Sequence, residues 1–179
     1  MAVNEPRIVL RALEPTDIDI LYQWENDNKI WQVSQTLVPY SRYILKQYIE
    51  NSHKDIYEMK QQRFMIDVES KSDTHRSIGT IDLFDFDPNN QRAGVGILIA
   101  AENDRGRGFA SKALSELIRY AFDTLHLKQL YCNILLDNEA SMQLFQKAGF
   151  DLVGIKKNWI RTKEGFKDEA LFQLINNQY

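Results

Sequence analysis

Of the 179 residues, one is a cysteine, four are prolines and eight are glycines. A lone thiol, Cys132, closes no disulfide within the chain and builds no thiolate metal site. It lies in the apolar run 129–136, where a buried structural thiol is the expected role. So little Gly and Pro excludes long flexible linkers, and no internal repeat or low-complexity tract is present. Neither sign of charge dominates. The formal net charge of −3 argues against coating nucleic acid, which requires a basic stripe to displace counterions. No apolar stretch approaches the ~20 residues that span a bilayer, so no membrane partner is expected. Residues 1–11 lack the basic patch and apolar core of a secretory signal, and a cytoplasmic location is the default expectation. His53, His75 and His126 are scattered without metal-ligand spacing; they are expected at the surface, and no metal is expected.

What is present is an ordinary globular balance, 44% hydrophobic and 26% charged. The length suits a single domain, 1–179, that buries roughly two-thirds of its unfolded surface. Apolar periodicity predicts strands at 8–13, 63–69, 77–86, 92–100, 129–136, 152–161 and 166–175. Helices are expected from Thr16 or Asp17 as cap through Trp24, from the cap Ser41 through Ile49, over 110–125 and over 139–148. Residues 70–76 read as a turn. Gly149 follows the last helix as a natural left-handed cap. The order is strand, two helices, three meandering strands, helix, strand, helix, two strands. This predicts a mixed α/β (α+β) fold: one sheet of about seven strands with helices packed on its faces.

Two segments carry chemistry. In the first, an apolar strand ending near Ala100 leads through Arg105-Gly106-Arg107-Gly108-Phe109-Ala110 into a helix. Helix N-termini leave backbone N–H groups unpaired and carry partial positive charge, which attracts anions. Glycines at 106 and 108 admit close backbone approach, Ala110 keeps the first turn accessible, and Arg105 and Arg107 add cations. The pattern suits a pyrophosphate, although a glycine pair before a helix is also an ordinary turn. It lacks the Gly-x-x-x-x-Gly-Lys-[Ser/Thr] of a nucleotide-hydrolysing loop and the Gly-x-Gly-x-x-Gly of dinucleotide sites. In the second segment, Asn138 stands between a strand and a helix carrying Ser141, Leu144, Phe145 and Lys147 before Gly149-Phe150. Read as structure alone, Asn138 is a cap and Phe145 a core aromatic. Read with the first segment, two helices start near the ends of two neighbouring strands and address one extended ligand.

These two segments, in this order and spacing, resemble the GNAT superfamily of acetyltransferases, nearest its ribosomal-protein and polyamine (spermidine or diamine) branches. Arg105-Gly-Arg-Gly108-Phe-Ala110 is similar to that family's Gln/Arg-x-x-Gly-x-Gly/Ala signature. Asn138…Ser141…Leu144-Phe145…Lys147…Gly149-Phe150 is similar to its C-terminal motif. The resemblance extends over essentially the whole chain and is most specific in the motif-bearing half. It implies a GNAT-like sheet with two parallel strands splayed around acetyl-CoA. Backbone groups of Leu98, Ile99 and Ala100 would meet the pantetheine arm. Amides from Arg105, Gly106, Arg107, Gly108, Phe109 and Ala110, with Ser111 nearby, would hold the pyrophosphate. Asn138 would hydrogen-bond the cofactor, with Ser141 alongside.

One residue departs from the family pattern. Many relatives carry a tyrosine at the position of Phe145, whose hydroxyl protonates the departing thiolate; phenylalanine has no proton to give. Tyr131 and Ser141 are the substitutes considered. A neutral amine must attack the thioester, so a base or desolvation has to remove a proton from an acceptor that titrates near ~8 to ~10. Asp82 and Asp85 lie on the strand 77–86, and alternation puts them on opposite faces. Asp82, through a bridging water, is the first choice because acidic residues occur near this position in the polyamine branch. Asp85 is assigned to the substrate side. Gly94 and Gly96 stand where many relatives place a glutamate. Trp24, Glu25 and Trp31, with Asp27, fall in the region that shapes the acceptor site of relatives and would suit a cation.

The expected activity is thus transfer of acetyl from acetyl-CoA to a primary amine: a polyamine, a small amine or a protein N-terminus. Phe145 and the missing strand carboxylate favour an alternative, a non-catalytic acyl-CoA-binding module. A nucleotide-phosphate binder is a third option. A homodimer is among the expected partners, with the apolar C-terminal strands as its contact.

Overall fold

The computed structural model describes residues 6–34, 36–69 and 75–177. The expected turn at 70–76 falls largely outside these residues, as does the start of the chain. Seven strands form one sheet: β1 (Arg7–Arg11), β2 (Gln62–Glu69), β3 (His75–Asp87), β4 (Arg92–Ile99), β5 (Gln129–Leu135), β6 (Asp151–Thr162) and β7 (Gly165–Ile175). Their order across the sheet is β1-β2-β3-β4-β5-β7-β6. The helices are α1 (Ile18–Glu25), α2 (Asn28–Ser34), α3 (Arg42–Glu50), α4 (Ile56–Met59), α5 (Phe109–Arg119) and α6 (Glu139–Lys147). The mixed fold read from periodicity is the fold observed. No helix among the described residues is long and apolar enough to cross a membrane.

Alternation along β2 shows how the sheet is sandwiched. Phe64, Ile66 and Val68 belong to a large core with Leu114 and Leu117 of α5 and Phe145 of α6. Met65 points the other way, into a smaller core with Leu21 of α1 and Leu45 and Ile49 of α3. One strand thus feeds two hydrophobic layers, as the period of two requires. Full burial of one such side chain contributes about 1.5–3 kcal/mol. α3 starts where expected, with Ser41 Oγ accepting from the amide of Ile44 at 3.2 Å.

Three local expectations are corrected. Neither Thr16 nor Asp17 caps α1 through its side chain. Residues Pro15–Asp17 form a single 3-10 turn that Glu14 begins. The buried carboxylate of Asp17 instead accepts two N–H groups of Arg11, at 2.7 and 2.8 Å, and the amide of Glu14 at 2.7 Å. Two short helices, α2 and α4, occupy stretches for which no helix or strand was expected. The helix after the glycine loop keeps α geometry only to Arg119, and Tyr120–Thr124 widen into a π turn whose Tyr120 ring meets Phe64 edge-on.

The feature that positions the site is a failure of pairing. β4 and β5 are neighbours in parallel, and only Arg92, Ala93 and Gly94 find partners, in Gln129, Leu130 and Tyr131. Beyond Gly94 the two strands part. β4 stays on β3 through Ile99, and β5 stays on β7 through Leu135. The result is a wedge-shaped gap at the carboxyl ends of two parallel strands, the place where open α/β sheets receive ligands. α5 and α6 start at its two lips.

Candidate active site

The end of β4 is fixed by backbone pairing to β3 and by Arg105, just beyond the strand. The amide of Ala100 donates to Ile78 on β3 at 2.9 Å, so pleat alternation turns the peptide groups of Ile99 and Ile97 toward the gap. The guanidinium of Arg105 folds back onto the carbonyls of Ile99 and Ala100, at 3.0 Å each. Of the three residues expected at the pantetheine arm, Ile99 therefore faces the gap, and Leu98 and Ala100 direct their peptide N–H groups toward β3. Arg105 closes the strand end rather than standing free as a cation.

Next come Gly106 and Gly108 at φ +72° and +79°, the left-handed region. A Cβ built on either would meet nothing within 4 Å, so the space beside the loop is open. Phe109, 2% exposed, anchors the first turn in the core, while Ala110 is half-buried and Ser111 exposed. The first intrahelical bond runs from the Lys112 amide to the Gly108 carbonyl at 3.1 Å. The amides of Phe109, Ala110 and Ser111 consequently have no helical acceptor and face the start of α5 as donors. Arg107 lies over the Phe109 ring at 4.8 Å from its centre.

On the β5 lip, Asn138 caps α6, its side-chain oxygen accepting from the amide of Ser141 at 3.2 Å. Only the amide nitrogen of that side chain is left to donate to a ligand. Phe145 belongs to the large core. It is 3% exposed and packs edge-to-face on Phe150 with ring centres 5.0 Å apart. An aromatic ring without a hydroxyl loses nothing by burial in the core, and it has no proton to give.

The residues expected on the acceptor side lie on the face of β2, β3 and β4 under α1 and α3. Asp82 pairs across the sheet with Arg63 on one side and Gly96 on the other. Arg63, which the sequence reading did not single out, bonds both Asp82 oxygens at 2.6 and 3.1 Å and Glu25 at 2.6 Å. It also lies over the Tyr48 ring at 5.4 Å. Burial works against its charge, yet Asp82 beside it holds the guanidinium above its ordinary range. Burial likewise pushes the Tyr48 hydroxyl up to about 12. A Cβ on Gly96 would stand 3.7 Å from an Asp82 oxygen, so the bare glycine leaves that carboxylate reachable from β4.

Farther along, the Phe84 ring lies directly over Gly94, where any Cβ would come within 2.4 Å of it. The same ring meets Tyr131 edge-on, and the Tyr131 hydroxyl donates to Asp85 at 3.2 Å. Burial and the neighbouring Asp85 raise the Tyr131 hydroxyl above its ordinary value, so it stays protonated at neutral pH. Asp85 sits at φ +48° inside a bulge, and the simple alternation used to place it against Asp82 fails there. The two carboxylates end on different partners, Arg63 and Tyr131. Trp24 is half-buried against the smaller core, and Trp31 donates its indole N–H to the Glu25 carbonyl at 2.6 Å.

Two grooves run along α5, the second reaching Ser111 and Lys112 in its first turn. Cavities of about 430 and 520 Å³ run between β1 and the outer side of α5, lined by Arg7, Ile8, Glu116 and Arg119 among others. Both hold mixed charge, with Arg7 and Arg119 against Glu116. Among the described residues no trio of His, Cys, Asp or Glu could hold a metal. Cys132 is buried, and burial pushes its thiol up to about 12, which makes it a neutral core group.

An open β4–β5 wedge with a glycine-broken loop at one lip and an Asn-capped helix at the other agrees with one more observation. A family model described as an acetyltransferase (GNAT) domain matches residues 7–151. The chain belongs to the GNAT acetyltransferase family. An uncharacterized N-acetyltransferase of Bacillus licheniformis, p20, is 28% identical over 174 residues, covering 97% of this chain and 95% of the relative. The spermidine N(1)-acetyltransferase of Escherichia coli is 24% identical over 147 residues, 82% and 74% of the two chains. The solved structure of a spermidine N-acetyltransferase from Vibrio cholerae in complex with CoA and spermine shares the fold, with a TM-score of 0.81 at 22% identity over 94% and 95%. As a GNAT enzyme the protein is an N-acetyltransferase that moves the acetyl group of acetyl-CoA to an amine.

Proposed function

We propose that the acceptor is a small polycationic amine of the polyamine class. The observation that carries this is the charge of the acceptor face: Glu25, Asp82 and Asp85 against one guanidinium, Arg63, with Tyr48, Phe84 and Tyr131 as walls. An excess of carboxylate between aromatic surfaces attracts a cation through charge and ring faces together. The relative named for spermidine supports the same class.

In this proposal the amides from Gly106 to Ser111 hold the diphosphate, Ile99 meets the pantetheine arm and Asn138 donates from the opposite lip. Each Asp82 oxygen has one lone pair beyond its Arg63 bond, which lets a water bridge from Asp82 past Gly96 to the amine. That water takes the amine proton; the nitrogen forms its bond to the acetyl carbon as the C–S bond breaks. The thiolate takes a proton from the Tyr131 hydroxyl, which turns from Asp85 to give it, and solvent restores it. Such an acid typically contributes ~10²–10⁴-fold, and Phe145 supplies none of it. Residues 1–179 act as one domain in the cytoplasm. A second copy pairs on the edge strand β6, where Leu152, Val153, Ile155 and Trp159 are exposed.

The test is release of free thiol from acetyl-CoA over a panel of amines. Spermidine and other polyamines should exceed neutral and zwitterionic amines by tenfold or more in kcat/KM. Tyr131→Phe should lower kcat at least tenfold with CoA affinity intact. Equal turnover of all amines would refute the polyamine assignment.

A further inference from the structure

Just before the glycine loop, in the turn Glu102–Asp104, a carboxylate is buried at the edge of what should be an anion site. The Asp104 side chain is 4% exposed. An acid so placed repels a diphosphate unless its charge is cancelled. Arg76, at the start of β3 and far from both motifs, does this: its two terminal nitrogens bond the two Asp104 oxygens at 2.7 Å each. The Arg76 partnership, against a smaller opposing effect of burial, holds the Asp104 carboxyl below its usual range. Arg107, three residues on, reaches the already occupied Oδ1 only at 3.5 Å.

We propose that Arg76 is a positioning residue for acetyl-CoA, acting through Asp104 on the loop 105–110; this rests on that loop being the diphosphate site. The bidentate pair does two things. It pins the turn to β3 while Arg105 pins the loop to the end of β4, so the glycine backbone presents its amides from a frame fixed on both sides. It also saturates Asp104, leaving Arg107 loosely held and able to turn to a phosphate. Without Arg76, the nearest cation left to Asp104 is Arg107, and the loop loses a fixed side and a positive charge together.

The test is calorimetric binding of CoA, with pantetheine as a competing probe that lacks the diphosphate. Arg76→Gln and Asp104→Asn should each weaken CoA about tenfold and leave pantetheine within twofold. Arg76→Lys, which keeps charge but not the paired geometry, should fall between. The combination Arg76→Gln with Asp104→Asn removes both charges, so it reports even where a single change leaves a buried carboxylate too costly to fold. It should bind CoA no more weakly than either single variant. Equal loss for CoA and pantetheine, or no loss for CoA, would overturn the positioning role. Natural protein that binds pantetheine as tightly as CoA would instead overturn the diphosphate loop itself.

Discussion

Gly108→Val is expected to weaken CoA binding about a hundredfold while lowering the thermal midpoint by only a few degrees. Two separate costs combine. Gly108 holds φ +79° and ψ 0° as the residue before α5. A left-handed conformation costs an ordinary L-residue about 1–2 kcal/mol, and a β-branched one more. In a domain of this size each kcal/mol is about 2–4 °C, which bounds the loss of stability. The larger effect is steric. No protein atom lies within 4 Å of the added Cβ, so the isopropyl group stands in the open space the diphosphate would fill. Gly108→Ala is the control, with strain and little bulk: about a tenfold loss in titration calorimetry, each tenfold being ~1.4 kcal/mol.

Arg63→Met should be the most destabilising single change on the acceptor side. It would leave two carboxylates, Glu25 and Asp82, 17% and 16% exposed and without their shared cation. Breaking such a pair by removing one partner costs about 3–5 kcal/mol, because the remaining charge stays buried. The thermal midpoint should fall by roughly 10 °C. The same change made together with Glu25→Gln and Asp82→Asn removes the stranded charges and should recover most of that loss. Turnover separates scaffold from chemistry: the triple variant should regain stability but not kcat, since Asp82 no longer accepts a proton through water. Recovery of both would make the cluster a brace only.

Where local rules decide, the chain was readable. Gly106, Gly108 and Gly149 stand at positive φ, as turns of this kind demand. Ser41 caps as its hydroxyl allows, and seven strands form where seven were expected. Where the outcome depends on register or tertiary partners, it was not. Asp17 looked like a cap but is bound by Arg11 on the neighbouring strand. The four residues of α4 are too few for periodicity to show, although Asp55 caps them and Lys60 closes them in the left-handed region. Arg63 had no local signal. Its meaning arises because β2 and β3 bring Arg63 opposite Asp82 while α1 ends at Glu25. Arg76 and Asp104 are 28 residues apart and meet only once β3 lies beside the end of β4. Asp85 escaped alternation because one residue of bulge is enough to reset it.

The most direct measurement is backbone amide exchange with and without CoA. Binding should slow exchange at Gly106 through Ser111 and at Ile97 and Ile99, the donors that face the β4–β5 wedge. Slowing confined to Arg7–Leu10 and Glu116–Thr124, the groove between β1 and α5, would place the coenzyme on the wrong side of the helix and contradict the site described.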